Sequence, residues 1–170
     1  MKYSLSLRVM HWVMAVFILG MLCSGFYMTN LSNNNEIKFS IYAIHKACGI
    51  TILGLVIIRL LFRIFTHIPP YPVNFSRLAI YASKVVHFCL YFIMLLMPIS
   101  GYVMSSASGR DIKYIFHIPL LIKQNTYLAN VANVMHSILA YFFILIITLH
   151  IFAVLKHIII DRQNILKRIA

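Results

Sequence analysis

Acidic side chains are nearly missing from this sequence. Its 170 residues hold three Asp and Glu against fifteen Lys and Arg, a formal net charge of +12. Glu36, Asp111 and Asp161 all fall outside the apolar stretches, so no apolar stretch has the carboxylate expected of a proton or cation transporter. Charge of either sign is scarce, at 11% of residues, against about 25% in an ordinary soluble domain. Cysteine is scarce too: Cys23, Cys48 and Cys89 lie in apolar stretches, and none falls in a C-x-x-C-H. That excludes covalently attached c-type haem and thiolate clusters, and leaves three small buried hydrophobes. The basic residues form no continuous run, which argues against nucleic acid as a partner.

What is abundant is apolar surface. Hydrophobic residues make up 62% of the chain, and the mean hydropathy is +0.89. A soluble domain of this size cannot hide so much, so the solvent must be membrane lipid. Four apolar stretches, about 9–28, 45–65, 82–103 and 133–155, are each long enough for a helix of about 20 residues to cross a bilayer. Helices also satisfy their own backbone in lipid. The first is too long for a simple signal-peptide core and lacks a clean cleavage site. The expected fold is therefore all-α: one domain over 1–170, an integral membrane four-helix bundle with no internal repeat.

The connections keep the spans apart. Residues 29–44 open with an Asn-rich turn. Pro69, Pro70 and Pro72 break the second connection. The longest, about 104–132, carries Ser105, Ser106, Ser108 and Gly109, then a short apolar piece near 115–122 expected to lie in the interface. Ten basic residues fall on the side of the two termini and five on the other. By the positive-inside rule both termini are expected in the cytoplasm.

Five of the eight histidines sit in or at the edge of a span: His11, His45, His87, His136 and His150. An ionisable residue in lipid is costly and is a functional candidate by default. Following the chain back and forth sorts them into two layers. His45 and His136 lie near the outer face; His11, His87 and His150 lie near the inner one. His136 and His150 are fourteen residues apart, close to four full turns, so they share a helix face roughly 21 Å apart. One helix thus offers an imidazole to each of two stacked sites. A haem iron takes one axial ligand from each side, so two facing histidines at one depth can hold it. The outer pair is His45 with His136. In the inner layer His150 is favoured, with either His11 or His87 as its mate. Gly49 and Gly54 are candidates for making room beside the ligands, and Pro98 with Gly101 for loosening the third helix. Zinc or copper would want ligands gathered at one point, not in two distant layers.

The segments RVMHW at 8–12, IHKACGI at 44–50, VVHFCLY at 85–91, LMPISGYVM at 96–104 and the His136 and His150 pair together resemble the bacterial cytochrome b561 family over nearly the whole chain. The short chain places the resemblance closest to stand-alone members that act as superoxide oxidase. The resemblance implies two b-type haems in a multi-pass protein of the bacterial inner membrane. It gives the inner haem to His11 and His150, the outer to His45 and His136, and a supporting role to His87.

The implied activity is an oxidoreductase that passes electrons from periplasmic superoxide to membrane ubiquinone. Bis-histidine haem leaves no open position on iron, so its task is electron transfer. Superoxide is an anion that cations near the outer haem would steer. Lys46 and Arg110 are the leading candidates, with Lys38, Lys113 and Lys123 beside them; Lys46 could instead pair with a haem propionate. Arg8, His87 and His157 are candidates for quinone or propionate contacts. The alternative is a membrane-anchor subunit that carries electrons from a partner dehydrogenase to quinone. Neither the oligomeric state nor a partner subunit is legible in the sequence.

Overall fold

A computed structural model describes residues 2–72, 75–113 and 117–170. Helices α1 (Leu5–Asn30), α2 (Glu36–Phe65), α3 (Arg77–Ala107) and α4 (Thr126–Ile159) are all long and apolar enough to cross a membrane. They contain the four expected stretches and run past them at most ends, because polar caps outside the hydrocarbon set the true ends. Each helix starts on a side chain that accepts from its own first turn: Ser4 from Leu7, Asn35 from Ile37, Ser76 from Ala79 and Asn125 from Leu128. Thr66, just before the prolines, caps the end of α2. Gly109, at φ 65°, turns the chain out of α3 through a backbone region that favours glycine.

The expected interfacial piece in the third connection has a different local form. Strands β1 (Ile112–Lys113) and β2 (His117–Ile118) pair antiparallel, Ile112 opposite Ile118. Residues 114–116, which include the start of that piece at 115, and the side chain of Lys113 lie outside the described residues. Tyr102 holds the hairpin's exit to α3: its hydroxyl donates to the Pro119 carbonyl at 2.8 Å and accepts from the Leu121 amide at 3.1 Å.

Helix α1 packs on α2, α2 on α3 and α3 on α4, while Phe26 meets Tyr141 edge-on and joins α1 to α4. The buried core is thin. It comprises Met14 and Ile18, Ile52 and Val56, Ile93 and Met94, and Phe143, a plug at mid-height to which all four helices contribute. Phe143 lies seven residues from both His136 and His150, so the plug separates the histidine layers. Large apolar side chains such as Val16, Phe88, Phe142 and Phe152 face outward and are largely exposed, as lipid-facing residues must be.

The two ends differ. At one end the chain termini meet: the Tyr3 amide donates to the Arg168 carbonyl at 3.0 Å and the Trp12 indole to that of Ile169 at 3.0 Å. Arg168 Nη2 in turn donates to the carbonyls of Pro69 and Pro70 at 2.9 and 2.7 Å. This is the termini end. The other, the hairpin end, holds the α1–α2 turn and the β1–β2 hairpin.

Candidate cofactor site between the helices

At the hairpin end His45 of α2 faces His136 of α4, with ring centres 6.4 Å apart and planes at 74°. Each ring is held by a serine on the neighbouring helix. Ser24 Oγ stands 3.0 Å from His45 Nδ1, and Ser100 Oγ 2.9 Å from His136 Nδ1. Both hydroxyls have already given their single hydrogen to a carbonyl of their own helix, Met21 at 3.1 Å and Met97 at 2.8 Å. The serine oxygen is therefore left to accept, and Nδ1 of each imidazole must donate. That assigns the proton to Nδ1 and leaves Nε2 with a bare lone pair, the tautomer that binds a metal. A glycine follows each serine. A Cβ on Gly25 would meet His45 Cε1 at 3.4 Å, and one on Gly101 would meet His136 Cε1 at 3.2 Å.

At the termini end His150 of α4 has two neighbours. The His11 ring centre lies 6.3 Å away with planes at 60°, and that of His87 lies 5.3 Å away at 84°. His87 Nδ1 donates to the Ser83 carbonyl at 2.6 Å, so this ring too has its Nδ1 proton fixed. His11 is placed differently: its Nδ1 faces Arg59 Nη2 at 3.3 Å. Arg59 Nε donates to the Tyr91 hydroxyl at 3.1 Å, and Arg63 lies over the Tyr91 ring at 5.4 Å.

These separations test a shared metal directly. A metal–imidazole bond is about 2 Å and the ring centre lies about 1.1 Å beyond its nitrogen, so two rings on opposite sides of one ion stand roughly 6.2 Å apart. The pairs at 6.4 and 6.3 Å meet that spacing at both levels, whereas 5.3 Å between His87 and His150 falls about 1 Å short. Among the described residues no three His, Cys, Asp or Glu side chains converge on one point. Each layer holds two rings at that spacing, His45 with His136 and His11 with His150, which could hold one metal between them.

The model for prokaryotic cytochrome b561 matches residues 2–170. The chain belongs to that family. It is 30% identical over 170 residues to cytochrome b561 homolog 2 of Escherichia coli (strain K12), covering 98% of this chain and 90% of the relative. It is 29% identical over 126 residues to a probable superoxide oxidase, CybB, of Yersinia pestis, covering 74% and 72%. The family consists of transmembrane cytochromes that bind b-type haem, and electron transfer is its role. The facing imidazoles at both ends, and at the hairpin end the assigned tautomers and the glycines beside the rings, fit that group.

Other expected positions fall out unevenly. Lys38, a steering candidate, is buried, and its Nζ is spent on the Leu31 carbonyl at 2.8 Å and Asn33 Oδ1 at 2.9 Å. It closes the α1–α2 turn and is not free to meet an incoming anion. Lys46 donates to the Asp111 carbonyl at 3.0 Å, which ties α2 to the hairpin beside exposed Arg110. Lys123 is exposed. Of the glycines expected to give room, Gly49 packs against Met21 and Gly54 has nothing near it; Gly25 and Gly101 are the ones that abut the rings. Helix α3 continues through Pro98. Arg8 Nε is buried without a partner. His157 Nδ1 lies 2.6 Å from Asp161 Oδ2, and its ring stacks on Phe75 at 4.4 Å. Ser24 and Ser100 were missed by sequence reasoning, although a Ser-Gly pair repeated at 24–25 and 100–101 was a signal for them.

Proposed function

We propose that the chain holds two b-type haems, one between His45 and His136 and one between His11 and His150, and carries electrons from superoxide on the periplasmic side to ubiquinone drawn from the membrane. The termini end then faces the cytoplasm of a bacterial inner membrane, in line with its excess of basic residues. The observation that carries the reading is the equal spacing of the two ring pairs, 6.4 and 6.3 Å, on one shared helix. The same numbers favour His11 over His87 as the second ligand near the cytoplasm. Bound haem supplies one-electron transfer.

The balance is two superoxide ions giving two electrons and two molecules of dioxygen, with one quinone taking two electrons and two protons to become quinol. The chain's own residues do the rest. The Lys46 ammonium, held against the hairpin, and Arg110 supply positive potential beside the hairpin-end pair. The relative named a probable superoxide oxidase supports this choice of donor. At the termini end Arg8, His87 and His157 are the groups for the quinone carbonyl and its protons, with Asp161 beside His157 at 2.6 Å to pass protons on.

A reduced-minus-oxidised visible spectrum with haem counted per chain tests the core of the reading. Two haems per chain are expected, and a colourless protein sinks it. Superoxide-driven quinone reduction by the purified chain in lipid nanodiscs tests the donor. Activity only in the presence of a co-purifying dehydrogenase would favour a membrane-anchor subunit instead.

A further inference from the structure

Arg59 and Arg63 stand one turn apart on α2, within the span, and neither has a carboxylate partner. Among the described residues every ion pair is made by Asp161, with Lys156 and His157. Glu36 begins α2 at its far end, and Asp111 lies in the hairpin connection. Arg59 itself is only partly satisfied. Nε donates to Tyr91, Nη2 faces His11, and Nη1 is buried with no hydrogen-bond partner. A guanidinium at membrane depth needs an anion, and among the described residues none pairs with it.

The His11 contact adds a second, independent argument. A guanidinium can only donate, so in this contact His11 Nδ1 must accept and its proton must sit on Nε2. That is the opposite tautomer from His45 and His136. Binding a metal through Nε2 moves the proton to Nδ1, where it opposes the Arg59 N–H. Loading the site therefore breaks this contact and frees Nη2 as well as Nη1.

We propose that Arg59 is the carboxylate anchor of the cofactor at the termini end: on loading, its guanidinium leaves the His11 ring and takes a carboxylate of the haem, with Arg63 adding charge. This rests on the two-haem reading above. The planar fork of donors on arginine suits a carboxylate, which lysine meets only as a point charge.

The test uses the purified chain in nanodiscs, loaded with haem labelled with carbon-13 at its carboxyls, comparing wild type, Arg59→Gln, Arg59→Lys and, as a control at an exposed arginine, Arg77→Gln. The readouts are haem per chain, potentiometric titration, and reduced-minus-oxidised infrared spectra. In Arg59→Gln one haem, the one lost in His11→Ala, moves to a lower midpoint potential, since a nearby positive charge is gone. The other haem stays put, and the labelled carboxylate band shifts. Arg59→Lys keeps most of the potential but still shifts the band, and Arg77→Gln changes neither. If Arg59→Gln fails to retain that haem, recovery of haem by Arg59→Lys supports the anchor, and failure to recover it overturns the anchor. An unshifted labelled band in Arg59→Gln also overturns it, even with a lowered potential, because Arg59 would then hold some other anion. Wild-type chain that binds no haem sinks the functional reading itself, a separate result from two bound haems with unaltered bands.

Discussion

The two histidine layers present the same pair of rings in opposite settings. At the hairpin end, neutral hydroxyls orient both imidazoles and a glycine clears space beside each. At the termini end, three imidazoles crowd together with two guanidinium groups and a tyrosine. The groups touching the rings in the first setting fix geometry and carry no charge, Lys46 and Arg110 standing farther out at the hairpin. The second adds positive charge, and such charge raises an iron's reduction potential by favouring the reduced, less positive form. Electrons would then run downhill from the hairpin end to the termini end. Between the layers lies the apolar plug around Phe143, which separates them.

The largest expected break in this comparison comes from removing a ligand. His136→Ala should take away the hairpin-end haem and leave the other, so that haem per chain falls from two to one. Loss of both, or of neither, would contradict the separation into layers. At the termini end His11→Ala should cost a haem as His136→Ala does, whereas His87→Ala should retain both. The reverse outcome, read from the same haem count, would make His87 the ligand.

Smaller effects grade the hairpin end. Gly101→Ala places a methyl 3.2 Å from His136 Cε1, closer than Gly25→Ala at 3.4 Å from His45 Cε1. Haem occupancy should therefore fall more for Gly101→Ala than for Gly25→Ala, and equal occupancies would argue that the rings move freely. Losing a serine acceptor should be milder. Ser24→Ala leaves His45 without its Nδ1 partner and should weaken haem affinity roughly tenfold to a hundredfold. Ser100→Ala should cost less, because the Met97 carbonyl is still 3.2 Å from His136 Nδ1. Haem dissociation to apomyoglobin would measure both.

The smallest effect lies outside the membrane. Hydrogen bonding from Lys156, joined by His157, holds the Asp161 carboxyl below the usual carboxylate range. A depressed acid stabilises the fold above its unfolded value of 3.8 and loses that contribution as pH falls through the lower folded value. Asp161→Asn should slightly lower thermal stability at neutral pH, with the gap to wild type closing in strong acid. A gap that widened in acid would reverse the sign.

Much of this was legible in order and spacing. Apolar length gave the four spans, because lipid imposes it on each helix separately. The fourteen residues between His136 and His150 gave two levels on one face, because helical rise and twist are fixed by the backbone alone. Lys38 was misjudged because whether its ammonium meets solvent or a turn carbonyl depends on how α1 is joined to α2. Gly25 escaped notice, and Gly101 was read only as loosening α3, because a glycine's use depends on which ring a neighbouring helix brings against it.

The sequence by itself determined that the chain crosses a membrane four times and carries imidazoles at two depths, since hydropathy and helical period are local properties. Only the tertiary structure decided which rings face each other, which serines fix their protons and which arginine stands against a histidine ring. Those are relations between side chains on different helices, and packing sets them.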